Sequence, residues 1–214
     1  MKIALIGATG FVGSALLDEA LQRGVAVTAL VRAPARLVPR QGLTVVQADV
    51  YQRDAVTAAV GGAEVVISAF NPGWDKMDIH DLFLRGHDAI VAGVKAAGVP
   101  RFITVGGAGS LYVAPGLQLV DTPTFPAEYK QGALAAREAL QRMRNETTLD
   151  WVFVSPPALL APGARTGDYR LGADDLLMAG EQPAGISTAD LAVAILDEAT
   201  TPRHHRQRIT VASR

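Results

Sequence analysis

Cysteine does not occur in this 214-residue chain. A disulfide framework, a thiol nucleophile and a cysteine-ligated metal site are therefore excluded. Aromatic residues make up only 6% of the sequence, whereas glycine occurs 21 times, so the composition favours tight backbone turns over a large aromatic surface. The absence of cysteine is typical of reducing compartments, and we expect a cytoplasmic protein.

Neither sign of charge is in excess, because 20 basic residues face 21 acidic ones and the net charge is −1. A nucleic-acid-binding surface needs clustered lysine and arginine, so no nucleic-acid partner is expected. No apolar run approaches the ~18 residues of a membrane span, and the chain begins with a strand pattern rather than a signal peptide, so no membrane partner is expected. Hydrophobic residues make up 49% of the chain, which allows a single domain over residues 1–214 with a sizeable core.

Short apolar runs alternate with helical stretches along almost the whole chain. The predicted strands are 2–6, 25–31, 43–48, 64–69, 101–105, 150–154 and 207–212, and the predicted helices are 11–23, 53–60, 77–97, 127–145 and 188–199. Strands that are separated by helices form parallel sheets covered on both faces. The sequence therefore predicts an α/β fold with a doubly wound parallel sheet.

Two segments interrupt this alternation. Residues 106–126 and 155–186 are rich in glycine, proline or serine and show no clear period. Each follows a predicted strand, so each should lie at the carboxyl edge of the sheet, where open α/β sheets bind ligands. Long irregular connections are often functional, and we expect 155–186 to form a small C-terminal substrate lobe within the single domain.

A glycine-rich turn, Gly7-Ala8-Thr9-Gly10-Phe11-Val12-Gly13, joins the first predicted strand to the first helix. Gly7 permits a tight turn, Gly10 lets the backbone approach a pyrophosphate, and Gly13 allows close packing of the helix on the strand. The helix N-terminus adds free N–H groups and a partial positive charge. The spacing alone also fits a simple turn, but its strand–turn–helix–strand context predicts a dinucleotide site that includes Thr9, Phe11 and Val12.

The end of the second strand bears on the choice of dinucleotide. NAD-binding proteins usually have an acidic residue there, but this chain has Val31-Arg32, followed by Arg36. A guanidinium can pair with the 2′-phosphate of NADP, so we expect NADPH, with NADH as the alternative cofactor and a surface arginine as the alternative role of Arg32. After the third strand, Asp49 and Val50 are expected at the adenine, with a turn or helix cap as the alternative role of Asp49.

The central strands should end near the middle and the nicotinamide end of the dinucleotide. The expected cofactor contacts at these strand ends are Ser68, Ala69, Phe70, Gly106, Ser155 and Pro156. Asn71, which follows the fourth strand, is expected to contact the substrate.

These motifs resemble those of the atypical short-chain dehydrogenases/reductases, in the NAD(P)H-binding branch described as NADH-flavin reductases. Biliverdin IXβ/flavin reductases and NmrA-like proteins are relatives of this branch. The resemblance covers nearly the whole chain and rests on residues 7–13, 31–32, 49–50, 105–110, 155–156, 162–170 and 186–190. It implies the NAD(P)-binding Rossmann fold and a nicotinamide cofactor.

The Tyr-Lys pair of tyrosine-dependent short-chain dehydrogenases is missing. That pair has a spacing of four residues, which places both side chains on one helical face. Four residues after Tyr51, Tyr112, Tyr129 and Tyr169 the chain has alanine, glycine, alanine and alanine. The remaining candidates for catalytic groups are Ser110 and Tyr129, with a turn serine and a solvent-facing tyrosine as the alternative interpretations.

Charged and polar residues in 155–186 suggest contacts with the substrate. Arg165 and Tyr169 are expected to bind an anionic part of it, with stabilisation of the loop as the alternative. No metal is expected, because His80 and His87 are seven residues apart and no carboxylate–histidine cluster has the spacing of metal ligands.

Without a tyrosine acid, hydride transfer suits acceptors that are strong electrophiles, for which catalysis is mostly positioning. We therefore expect an NADPH-dependent reductase that acts on a small-molecule acceptor, either a flavin, a quinone or a tetrapyrrole, as a monomer or a homodimer. Two alternatives stay open. One is an NmrA-like sensor that binds NADP(H) without catalysis, and the other is a reductase or isomerase of a small carbonyl metabolite that uses Ser110 or Tyr129.

Overall fold

Strands and helices alternate in the structure as the sequence predicts. The computed structural model describes residues 1–214. The strands are β1 (Lys2–Ile6), β2 (Ala26–Val31), β3 (Leu43–Gln47), β4 (Val65–Ser68), β5 (Arg101–Val105), β6 (Tyr112–Ala114), β7 (Leu117–Gln118), β8 (Asp150–Ser155), β9 (Leu159–Ala161), β10 (Tyr169–Gly172), β11 (Met178–Ala179), β12 (Gln182–Pro183), β13 (Gly185–Ser187) and β14 (Gln207–Ser213). The helices are α1 (Phe11–Gln22), α2 (Arg53–Val60), α3 (Ile79–Ala96), α4 (Ala127–Arg144) and α5 (Thr188–Thr200). Every predicted strand and helix is present, with its ends shifted by two residues or fewer.

Eight strands form one sheet in the order β10-β14-β8-β5-β4-β1-β2-β3. All neighbouring strands are parallel except β10, which lies antiparallel to β14 at one edge. Because β1 pairs with β2 on one side and with β4 on the other, the strand order reverses at β1. The predicted doubly wound sheet is confirmed, and dinucleotides bind such sheets above the carboxyl end of the strands at this reversal.

Alternate residues of the central strands enter two separate apolar layers. Ile3 and Leu5 of β1 pack into the layer that contains side chains of α1 and α5, whereas Ala4 and Ile6 pack into the layer that contains side chains of α2, α3 and α4. Successive strand side chains point to opposite faces, so a strand covered on both faces must be apolar throughout. Each large apolar side chain buried in this way contributes about 1.5–3 kcal/mol of stability.

The segment 155–186 has more regular structure than the sequence predicts. It contains β10, where Gly172 pairs with Thr210 of β14, and the short pairs β9–β13 and β11–β12. These strands are two to four residues long, which is too short for a periodic pattern. Part of the expected C-terminal lobe therefore extends the main sheet.

A buried carboxylate on α1 holds this segment against the helices. Glu19 is 4% exposed and accepts hydrogen bonds from Arg165 Nε at 2.7 Å and from Arg23 Nε at 2.6 Å. Asp190, in the first turn of α5, accepts two backbone N–H groups from the same segment. The hydrogen bond from Arg165, reinforced by Arg23, holds the pKa of Glu19 below its ordinary value of 4.5 in spite of its burial.

Glu19→Gln should lower the free energy of unfolding at neutral pH by ~2 kcal/mol, because it removes the charge that both guanidinium groups bind. Since the folded-state pKa of Glu19 is lowered, its charge contributes stability at pH values above 4.5, and the contribution is lost as the pH falls below that value. Denaturant unfolding should show a wild-type advantage that is constant near neutral pH and shrinks below pH 4.5. Glu181→Gln, at an exposed carboxylate, should change nothing, and equal stability of E19Q and wild type at neutral pH would contradict the anchoring role.

Candidate functional site

The turn between β1 and α1 can be formed only with glycine at two positions. Gly7 has a φ of 85°, in the left-handed region that favours glycine. A Cβ atom on Gly7 would lie 2.5 Å from the carbonyl oxygen of Ala69, and one on Gly13 would lie 1.9 Å from the carbonyl oxygen of Gly7. Backbone atoms cannot accommodate contacts this short, so the N-terminus of α1 and the residue after β4 lie directly against the turn.

Gly10 stands directly before α1 and leaves the helix N-terminus open to a ligand. Its N–H donates to the carbonyl oxygen of Gly7 at 2.9 Å, and no side chain caps the helix. The first turn contains no acidic residue, and Gly10 and Phe11 are exposed beside half-buried Thr9 and Val12. Gly10, which has no side chain, and the uncapped helix N-terminus form a cradle for an anion. These residues therefore fit the pyrophosphate of a dinucleotide.

Three arginine side chains at the β2–β3 side of this turn form no ion pair. Arg32 and Arg36 are exposed after β2, and Arg85 of α3 lies over the ring of Tyr51, with its guanidinium carbon 4.7 Å from the ring centroid. Apart from Arg203, every other arginine side chain of the chain binds a carboxylate or a carbonyl oxygen. Three of the four arginines without such a partner thus lie on the side of the turn where the sequence predicts the adenosine phosphate.

Tyr51 lies between two of these arginines and a row of aromatic rings. Burial raises the pKa of the Tyr51 phenol above its ordinary value, while the charges of Arg85 and Arg32 act in the opposite direction. Its ring meets that of Phe70 edge to face, with centroids 5.9 Å apart. Gly86 is required for this contact, because a Cβ atom there would lie 2.4 Å from the Phe70 ring.

Asp49 and Val50 stand directly before Tyr51. Oδ1 of Asp49 accepts a hydrogen bond from the Tyr51 N–H at 3.0 Å, so the carboxylate serves the turn that the sequence offers as its alternative role. Asp49 is exposed and Val50 is buried. The contact of both residues with adenine stays a prediction.

Close contacts within the protein hold the residues at the ends of β4 and β5. Ser68 is buried, and Asn71 Oδ1 accepts the N–H of Gly73 at 2.8 Å. The Ala69 N–H donates to the carbonyl oxygen of Ile6 at 2.9 Å, which ties β4 to β1 beside the glycine turn. A Cβ atom on Gly106 would lie 2.0 Å from the Phe153 ring, so glycine is required there as well.

The two serines predicted near the nicotinamide are enclosed by the protein. Ser110 is 2% exposed, and its hydroxyl accepts a hydrogen bond from Arg208 Nη1 at 3.0 Å, as the turn interpretation expects. Ser155 is fully buried and its hydroxyl has no hydrogen-bond partner, and Pro156 after it is buried too. The catalytic role of Ser110 stays a prediction, and its hydroxyl is buried in this structure.

Tyr129 is exposed at the start of α4 and packs against Trp74, from the loop between β4 and α3. The ring centroids are 5.2 Å apart and the ring planes meet at 84°. Trp74 is 54% exposed and Tyr129 is 46% exposed. We call these two perpendicular rings the aromatic corner.

Arg165 and Tyr169 have partners inside the protein. Arg165 binds Glu19, and the hydroxyl of Tyr169 donates to Asp197 Oδ2 at 2.6 Å. Burial, together with this hydrogen bond to Asp197, raises the pKa of Tyr169 to about 12. These contacts fasten 155–186 to α1 and α5, as the loop-stabilising alternative expects. The contact of both residues with a substrate stays a prediction.

The segment 155–186 also borders a cavity of about 470 Å³, which is lined by residues that include Leu159, Pro162, Ile186 and Ser213. No group of three or more histidine and carboxylate side chains converges as the ligands of a metal ion do. None of the helices combines the length and the hydropathy that crossing a membrane requires.

Comparison with known proteins shows the family to which this chain belongs. A family model described as NAD(P)H-binding matches residues 7–202. The chain belongs to this NAD(P)H-binding family. YwnB of Bacillus subtilis, an uncharacterized protein, is 37% identical over 216 residues, which cover 100% of this chain and 99% of YwnB.

Two solved structures extend the comparison. A putative epimerase from Bacteroides thetaiotaomicron is 47% identical, with a TM-score of 0.93 over 99% of this chain and 96% of that one. A putative NADH-flavin reductase from Streptococcus pneumoniae is 33% identical, with a TM-score of 0.83 over the full length of both chains. The predicted NAD(P)-binding class and the resemblance to the flavin-reductase branch are confirmed, and the name of the second structure agrees with the predicted oxidoreductase class.

Three residues on either side of the glycine turn are not among the site residues that the sequence predicts. Tyr51 directly follows Asp49-Val50, so its place after the third strand can be predicted from the sequence. Its contact with Arg85 cannot, because that contact joins a loop to a distant helix. Trp74 stands in a short loop without a motif. Nothing in the local sequence distinguishes Arg85 from other exposed helical arginines.

Gly10→Ala and Gly13→Ala should separate cofactor binding from folding. The Gly13 methyl would collide with the backbone of Gly7, so G13A should lower the melting temperature strongly. The Gly10 methyl would lie 3.2 Å from the nearest protein atom, so G10A should fold and bind NAD(P)H ~10-fold more weakly, as judged by cofactor fluorescence. Gly61→Ala, whose methyl meets only ordinary contacts, is the control, and unchanged NAD(P)H affinity in G10A would contradict the pyrophosphate assignment.

Proposed function

We propose that this protein is an NADPH-dependent reductase that transfers hydride to a flavin, a quinone or a similar conjugated acceptor. The observation that carries the proposal is a complete dinucleotide cradle at Gly7–Gly13 in a crevice without a Tyr-Lys acid pair. The Streptococcus pneumoniae relative named for NADH-flavin reduction supports the same reaction class.

The preference for NADPH rests on the unpaired arginines. A 2′-phosphate is the feature that distinguishes NADPH from NADH, and a planar guanidinium can bind a phosphate through bidentate hydrogen bonds. Arg32 lies at the end of β2 where NAD-binding proteins have an acid, and Arg36 and Arg85 add two further cations without partners.

The chain's own residues position the reactants. Bound NADPH supplies a hydride, and the acceptor gains that hydride and one proton from solvent while the nicotinamide is oxidised. Gly10 and the α1 N-terminus would hold the pyrophosphate, and the ends of β4 and β5 would set the depth of the nicotinamide. Tyr129 and Lys130 are adjacent on α4, which points their side chains about 100° apart, so they do not form the acid pair of tyrosine-dependent enzymes.

The first experiment follows the absorbance of NADPH with purified protein and FMN, riboflavin, a quinone or biliverdin. Protein-dependent oxidation with at least one acceptor is expected, and it should fall in the Gly10→Ala variant, which excludes a contaminant. NADPH binding without oxidation of any acceptor would overturn the reductase and favour the NADP(H) sensor. Turnover of small carbonyl compounds alone, lost in Tyr129→Phe, would favour the carbonyl reductase or isomerase.

Arg32→Ala and Arg85→Ala should each weaken NADPH binding by ~10-fold, because each removes a charge-assisted contact with the 2′-phosphate. NADH binding should change less than twofold, since NADH has no phosphate there. Titration of protein fluorescence with both nucleotides measures the effect, and Arg203→Ala, at an unpaired arginine after α5, is the matched control. Equal losses for NADPH and NADH would rule out the 2′-phosphate role.

A further inference from the structure

The aromatic corner exposes a large apolar surface next to the crevice. About half of each side chain, Trp74 and Tyr129, is open to solvent, and Met77 in the same loop as Trp74 is almost fully exposed. Contiguous exposed apolar surface of this kind marks binding sites. Because the two rings are perpendicular, a planar molecule stacked on one ring presents its edge to the other.

The corner is held in place by the loop that carries it. Asn71 Oδ1 accepts the N–H of Gly73, Pro72 is buried, and Gly73 has a φ of 122° that requires glycine. The indole of Trp74 lies on α4 at Gly132, where a Cβ atom would be 2.6 Å from the ring. The ring is therefore ordered before any ligand binds, which lowers the entropic cost of binding.

Helix α4 places the corner beside the end of β5. Gly109, in the turn after β5, packs on Ala133, and a Cβ atom on Gly109 would lie 2.8 Å from the Ala133 methyl. Ala133 directly follows Gly132, the residue on which the indole of Trp74 packs. The loops after β4 and β5 thus converge on one turn of α4, on the opposite side of the glycine turn from Arg32.

This position corresponds to the far end of a bound dinucleotide. With its adenosine at β2 and β3 and its pyrophosphate at the glycine turn, the dinucleotide extends toward β4 and β5. A hydride acceptor must lie at that end, where the two rings of the aromatic corner are exposed.

We propose that Trp74 and Tyr129 form the acceptor-binding site, with the planar conjugated ring of a flavin or quinone stacked on Trp74 and its edge against Tyr129. This inference rests on the proposed reductase function, and it gives Tyr129 a binding role through its ring rather than its hydroxyl. It selects flat, conjugated acceptors over small aliphatic carbonyl compounds, which offer no ring to stack.

Kinetics of four variants test the corner. Trp74→Ala should raise the KM for riboflavin and for a quinone ~10-fold, whereas Trp74→Phe should retain most of the affinity. Tyr129→Ala should raise KM severalfold, and Tyr129→Phe, which keeps the ring, should raise it less. NADPH affinity should stay constant in all four variants, and Leu171→Ala, an exposed apolar residue on β10, should leave both constants unchanged.

Tryptophan fluorescence provides a readout that needs no turnover. The chain contains two tryptophans, and Trp151 is only 2% exposed, so contact quenching by riboflavin with saturating NADP⁺ should come from Trp74, and total quenching should be smaller in W74F. Quenching without turnover by the wild type would support the site and contradict the reductase. Turnover by the wild type with an unchanged KM in W74A, or a loss of kcat in Y129F, would overturn the site and leave the reductase standing.

Discussion

The carbonyl oxygen of Gly7 occupies the space that any side chain at position 13 would need, and this contact determines how α1 meets the sheet. With both residues as glycine, the helix starts directly above the end of β1, and its positive N-terminus faces the point where the strand order reverses. Gly7 also lies against the carbonyl oxygen of Ala69, so the same turn fixes the end of β4. The anion cradle and the start of the substrate side are therefore set by one cluster of backbone atoms.

The two ends of the crevice differ in chemical character. On the β2–β3 side, Arg85 lies over Tyr51 and Arg32 is exposed after β2, and neither guanidinium forms an ion pair. On the α4 side, Trp74 and Tyr129 expose ring surface. NADPH is asymmetric in the same way, since its extra phosphate lies at the adenosine end and its reactive ring at the other. This match supports the proposed orientation of the cofactor. It does not depend on a contact that is specific to one acceptor.

Local sequence was sufficient for the sheet, the helices and the glycine turn, because periodicity and turn chemistry act over a few residues. It was not sufficient for Arg165 and Ser110, whose partners Glu19 and Arg208 lie 146 and 98 residues away in the chain. An arginine in an irregular segment looks the same whether it awaits a substrate or binds a buried carboxylate. Arg85 was missed for a related reason, since its position over Tyr51 depends on Gly86 letting aromatic rings approach α3.

The enclosure of Ser110 and the packing of Tyr129 bear on the kind of acceptor. Hydride transfer to an isolated carbonyl leaves a strongly basic alkoxide, which needs an acid within hydrogen-bond reach. Here the Ser110 hydroxyl is buried against Arg208, and the Tyr129 ring lies against Trp74 without a lysine four residues later. Transfer to a conjugated ring spreads the charge over several atoms, so solvent can deliver the proton later. For the proposed reductase, the two flat rings of the aromatic corner would therefore suit an acceptor that requires positioning alone.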